Sequence, residues 1–109
     1  MIKLAIRRVK PGKESQLRGW MEQMNSRRSE VLETFRQEGV RHEQAYLLQT
    51  ADGSILVYAM EAPDHGRAAA AFAQSALPID LEHKRIMAEV LGDGVPSELL
   101  YECKADTAF

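Results

Sequence analysis

The chain has 109 residues, enough for one domain with one hydrophobic core and too few for a second. Hydrophobic residues make up 45 % and charged residues 28 %, and a net charge of -2 offers no field that draws in a phosphate backbone, so nucleic-acid binding is not expected. No stretch approaches the roughly 20 apolar residues of a membrane span, and MIKLAIRRVK lacks the apolar core and cleavage site of a signal peptide, so the expected location is cytoplasmic.

In chain order, Ile2, Leu4 and Ile6 alternate with Lys3, Ala5 and Arg7, the period-two pattern of a strand, which Pro11-Gly12 ends. From Lys13 to Glu38 the only breaker is Gly19. Leu17, Met21, Met24, Val31 and Phe35 recur at helical spacing there, predicting one long helix. Gly39 suits a left-handed cap, VRHEQAYLLQ reads as a strand, and ADGS is a hairpin loop leading into a third strand, ILVYAM. Beyond Pro63, DHGRAAAAFAQSA is an Ala-rich helix with Asp64 as N-cap; Pro78 interrupts, and a second helical piece is predicted from about Leu81 to Leu91. Gly92, Gly94 and Pro96 end it. SELLYECK predicts the last strand, with Leu99, Tyr101 and Cys103 facing one way and Cys103, the single cysteine, packed as a free thiol.

The order βαββαβ predicts an α+β, ferredoxin-like domain over residues 1–109, a four-stranded antiparallel sheet with its helices on one face. Strand three is apolar on both sides, with Ile55, Val57 and Ala59 on one and Leu56, Tyr58 and Met60 on the other. The helices can cover only one face, so the expected partner is a second copy, forming a homodimer through the sheet faces. The alternative leaves Tyr58 and Met60 half exposed on an uncovered face.

This order, with the runs KPGKESQLRGWMEQMNSRRSEVLETFRQEGV, EQAYLLQTADGSILVYAMEA and SALPIDLEHKRIM, resembles the dimeric α/β-barrel superfamily along the whole chain. Within it, the chain looks like a bacterial family of unknown function. The resemblance implies a site in a cleft between sheet and helices but selects no activity, because the superfamily spans cofactor-free quinol monooxygenases, haem-degrading monooxygenases, isomerases, dehydratase-like proteins and binding modules. Its haem-degrading members bind haem through a His in the second helical region, where His83 falls. They also use an Asn on strand one and a Trp near that His, whereas strand one here offers Arg7 and the only Trp is Trp20. No cofactor is therefore expected.

Several residues suit chemistry in such a cleft. Arg28 interrupts the apolar stripe of the first helix, and an unpaired guanidinium there would cost several kcal/mol, so it should snorkel out or meet a carboxylate or an anionic ligand. His83 falls with Ile79, Ile86 and Val90 on one helical face, and Asp80, one turn earlier, is within reach to orient its imidazole as a base, donor or ligand. The same two residues equally suit a helix start, Asp80 as N-cap and His83 as a core histidine with one hydrogen bond. Glu43, on the apolar side of strand two with Ala45 and Leu47, is a second candidate base and a partner for Arg28; an exposed edge charge is its ordinary alternative. Arg7 and Tyr58 complete the candidate substrate-binding set with Arg28 and Asp80. His42, His65 and His83 have no metal-ligand spacing, so no metal site is predicted, and Trp20 is read as core or rim. Three readings remain: a binding dimer of unknown function with a small-molecule pocket, a cofactor-free monooxygenase- or isomerase-like enzyme on a small anionic or carbonyl metabolite, and a structural dimer in which Arg28 is paired and no cavity exists.

Overall fold

A computed structural model describes residues 1–105. The elements are β1 (Ile2–Val9), α1 (Glu14–Ser26), α2 (Arg28–Glu38), β2 (His42–Thr50), β3 (Gly53–Glu61), α3 (His65–Gln74), α4 (Pro78–Val90) and β4 (Leu91–Gly94). The strands form one antiparallel sheet in the order β2-β3-β1-β4, the ferredoxin-like arrangement expected from the sequence. Several local signals act as read: Gly39 caps α2 at φ 75°, and Asp64 caps α3 by accepting a hydrogen bond from the Arg67 amide at 3.0 Å. Among the described residues no helix is long and apolar enough to cross a membrane.

Three expectations are corrected. The long first helix is two helices that meet at Arg27, whose backbone leaves helical geometry at φ -101°, ψ 46° while its amide still bonds the carbonyls of Gln23 and Met24. No Pro or Gly marks this break. Tertiary bonds hold it instead, the Arg27 guanidinium reaching Glu30 and Glu82 at 2.7 Å each and thereby tying the junction to α4. The last strand is LGDG and not SELLYECK. Lys10 and Val95 amides donate to the Val90 and Ile6 carbonyls at 2.8 Å, so the edge of β1 recruits the glycine segment through its backbone although side-chain propensity argues against it. The segment after it has no regular structure, leaving Leu99 (76 %) and Tyr101 (81 %) exposed, and Cys103 is an exposed thiol instead of a packed one. Finally, α4 begins at Pro78, where the fixed φ of proline suits the first helical position, so Asp80 is its third residue and Leu77 its N-cap.

Strand register decides which side chains meet the helices. Lys3, Met60 and Glu43 form one cross-strand row, Ala5, Tyr58 and Ala45 the next, and Arg7, Leu56 and Leu47 a third, all on one face. Under this face Leu56 packs with Leu17, Trp20, Ile79, Ile86 and Val90 as the main core, at the end of the sheet nearer β4. Tyr58 and Met60 thus point toward the helices, and the uncovered face carries Ile2, Leu4, Val57, Tyr46 and Leu48 instead. Replacing Leu56 with Ala should cost about 2–5 kcal/mol in urea denaturation, whereas Leu81→Ala on the exposed side of α4 should stay within about 0.5 kcal/mol; equal losses would mean that α4 is rotated from this arrangement.

Candidate functional site

Toward the other end of the sheet the helices separate from the strands and leave a cavity of about 290 Å³. Its walls are mostly apolar, with Met24, Val31, Phe35, Met60, Phe72 and Ile79 contributing, and its polar groups are concentrated in Thr34, Glu38, Glu43, Tyr58, Asp80 and His83. A mostly apolar cleft with a few convergent polar groups is the usual form of a small-molecule site, and this volume suits a small ligand.

His83 enters from α4 and is held on three sides by aromatic rings, Trp20, Tyr58 and Phe72, with centroids 5.8–6.0 Å from its own. The Trp20 indole N–H donates to His83 Nδ1 at 2.8 Å. An indole nitrogen can only donate, so Nδ1 must be the acceptor and the ring proton must sit on Nε2. Nε2 lies 3.4 Å from the Tyr58 hydroxyl, a long contact that leaves its N–H capacity toward the cavity. Burial pushes the imidazole down to about 4 against a weaker opposing pull from Asp80, so His83 is neutral at physiological pH. It is therefore a hydrogen-bond donor, not a cation and not a base at Nε2.

Asp80 does not orient it. Its carboxylate accepts from Thr34 Oγ1 at 2.6 Å and from Ser75 Oγ, so it joins α2 to the turn before α4. Glu43 lies in the cavity wall as its strand pattern predicts, and burial first, then the charges of Glu38 and Asp80, push its carboxyl up to about 7. Glu38 is also raised to about 7 by burial and by Asp80, with Thr34 and Lys84 offsetting part of the rise. Burial and Glu43 raise Tyr58 well above the usual phenol range, so its hydroxyl keeps its proton.

Two expected residues are not in the site. Arg28 is exposed at the start of α2 and neither lines the cavity nor pairs with Glu43. The helix break shifts the phase by one residue, and Arg27 becomes the half-buried charge, paired with Glu30 and Glu82 and 5.9 Å over the Trp20 ring. Arg7 shares the face of Lys3, but its Nε donates to the Gly92 carbonyl at 2.7 Å, which directs it to β4 and away from the cavity. The sequence reading missed Glu38 and the Trp20–His83 bond. Both had a signal: Val31, Phe35 and Glu38 are spaced four and three apart, which continues the inward stripe, and a buried indole needs an acceptor.

Haem does not fit this donor set. Ligation through Nε2 needs a lone pair there and moves the ring proton to Nδ1, directly against the indole N–H of Trp20. Among the described residues no group of three or more His, Cys, Asp or Glu is arranged to hold a metal ion.

The depressed His83 imidazole has a measurable consequence. The unfolded chain takes up a proton near pH 6.5 and the folded chain only near 4, so acidification through that window favours unfolding by up to about 3 kcal/mol. Glu38 and Glu43 act oppositely, their raised values giving stability that is complete below about 4.5 and lost as pH rises through about 7. Denaturant titrations at pH 6.5 and pH 4 should therefore show the wild type losing more stability on acidification than His83→Gln; parallel losses would mean that His83 is not held neutral.

Residues 1–107 match the model of DUF6176, a family of unknown function. No match was found among the curated proteins. Among solved structures, Rv0793 from Mycobacterium tuberculosis is similar at 19 % identity and a TM-score of 0.53, over 97 % of this chain and 96 % of that one, a likeness of fold alone. By the near-complete match of its length, the chain belongs to DUF6176.

Proposed function

We propose that the cavity is the active site of a cofactor-independent enzyme that removes a proton from a small, uncharged carbonyl compound. Glu43 is the base, and the His83 Nε2–H and Tyr58 hydroxyl are donors to the oxygen on which negative charge develops. The observation that carries this reading is the Trp20–His83 bond, which forces the imidazole proton to the cavity side and holds the donor fixed before substrate arrives. A carboxyl raised to about 7 is matched to proton transfer near neutral pH.

The anionic substrate expected from Arg28 loses its support. Glu43 and Asp80 place carboxyl groups in the cavity wall and Lys3 is the single lysine among its described residues, which disfavours a charged carboxylate or phosphate. The cavity supports a ligand-binding reading over a purely structural dimer. A panel of small apolar ketones incubated in D2O and followed by proton NMR tests the reading. The wild type should exchange the proton next to the carbonyl, and Glu43→Gln should lower the rate by roughly 10²–10⁴-fold; a wild type that exchanges none of them, or a variant as fast as wild type, sinks it.

The working unit in this reading is a cytoplasmic homodimer of the dimeric α/β-barrel type, closed sheet against sheet. Its support is the row of apolar side chains on the uncovered face, where Ile6, Val57 and Tyr46 are in register and Ile55 pairs with Leu48, with Ile2 65 % exposed. Monomers seldom leave so continuous an apolar face in water. Sedimentation should give twice the chain mass of 12.2 kDa, and Val57→Lys should return the protein to one chain; a monomeric wild type overturns the assembly.

A further inference from the structure

Glu38 ends α2, 6 % exposed, and lines the cavity with Glu43. Its Oε2 lies 3.2 Å from Thr34 Oγ1, and that hydroxyl is 2.6 Å from Asp80 Oδ2. A threonine hydroxyl has one proton to donate. If Asp80 receives it, the contact between Thr34 and Glu38 is a hydrogen bond only when Glu38 is the donor, so the three groups need one carboxyl proton among them. Two features assign that proton to Glu38. Asp80 accepts a second hydroxyl, from Ser75, and occupies the first turn of α4, where the helix dipole favours negative charge. Glu38 is the last residue of α2, where the dipole opposes it.

We infer that Glu38 is an uncharged acid at neutral pH and serves as the acid partner of the base Glu43, so that the cavity moves a proton between two carbons of one substrate. The inference rests on the proton-abstraction reading and names its reaction, a 1,3-proton shift in a β,γ-unsaturated ketone. The Glu43 carboxylate takes the proton from the carbon between carbonyl and alkene, and the C–H electron pair moves into a dienolate whose oxygen faces His83 Nε2–H and the Tyr58 hydroxyl. The dienolate then takes the Glu38 proton at its far carbon, the carbonyl re-forms and the alkene moves into conjugation. One proton leaves and one arrives, so no oxidant or reductant is required. Return of the proton from Glu43 to Glu38 resets the pair. The charged and titratable groups around it are Asp80, His83 and Lys84 from α4, Tyr58 from β3, Lys3 from β1 and His65 from α3.

The test uses two probes, cyclohexanone for proton exchange and 3-cyclohexen-1-one for isomerisation, on the wild type, Glu38→Gln and Glu43→Gln. A glutamine at 38 can still donate to Thr34, so the fold is preserved. Wild type should act on both probes and Glu43→Gln on neither. Glu38→Gln should keep exchange within about threefold while isomerisation falls roughly 10²-fold or more. Carbon-13 titration of the glutamate side chains should show Glu43 ionising first and Glu38 last in the wild type, with the Glu43 midpoint staying within about half a unit in Glu38→Gln, because a neutral amide replaces a neutral acid. Unchanged isomerisation in Glu38→Gln, or a Glu38 that ionises before Glu43, overturns the acid role and leaves the base reading standing. A wild type inert toward both probes overturns the base reading and the acid role with it.

Discussion

The hydrogen bond from the Trp20 indole to His83 Nδ1 is the interaction on which the rest of the site depends. It joins α1 to α4 across the main core, where Leu17, Ile79, Ile86 and Val90 pack around it, so moving the bond means moving the core. Its chemical effect follows from what the two rings can do. Indole nitrogen has no lone pair to offer, and the imidazole therefore turns its only N–H outward to the cavity and its acceptor inward. A histidine with one nitrogen occupied in this way is neither a free base nor a free metal ligand, however suggestive its position in the sequence.

Around that bond the structure separates two kinds of polar group. The Arg27–Glu30–Glu82 network and the Thr34–Asp80–Ser75 chain are structural ties: the first locks the α1–α2 junction onto α4, and the second anchors the turn before α4. Glu43 and Tyr58, by contrast, come from neighbouring strands, one cross-strand row apart. Strand positions are more rigid than loop positions, so the groups in line for chemistry stand on the least deformable layer, with the helices closing over them.

The fold was legible because its periodicities are strong and its punctuation is ordinary. Alternation in β1, the apolar run of β3 after its hairpin loop, the Ala-rich α3 and the Gly39 and Asp64 caps all act locally, and local signals survive folding. What escaped was set by tertiary contact. The break at Arg27 depends on carboxylates three and 55 positions away, and LGDG becomes a strand because β1 presents an open ladder to it. The site divided along the same line. Glu43 and His83 were placed on the cavity side by face and spacing, whereas the face of Tyr58 was settled only by strand register, and a one-residue phase error at the helix break put Arg28 where Arg27 belongs. Asp80 and His83, adjacent on the helix surface, take their hydrogen bonds from different helices, which no spacing rule could separate.

The apolar walls differ in kind from the polar end. Met24 and Met60 line the cavity and Met21 touches the Tyr58 hydroxyl through its sulfur, so the apolar wall includes unbranched thioethers with several rotatable bonds. Such side chains reshape at little cost, whereas the indole-locked imidazole cannot. In the proposed reading the site is thus strict toward a functional group and permissive toward the carbon skeleton behind it, and molecules sharing one head group should enter as a family of homologues rather than as a single species.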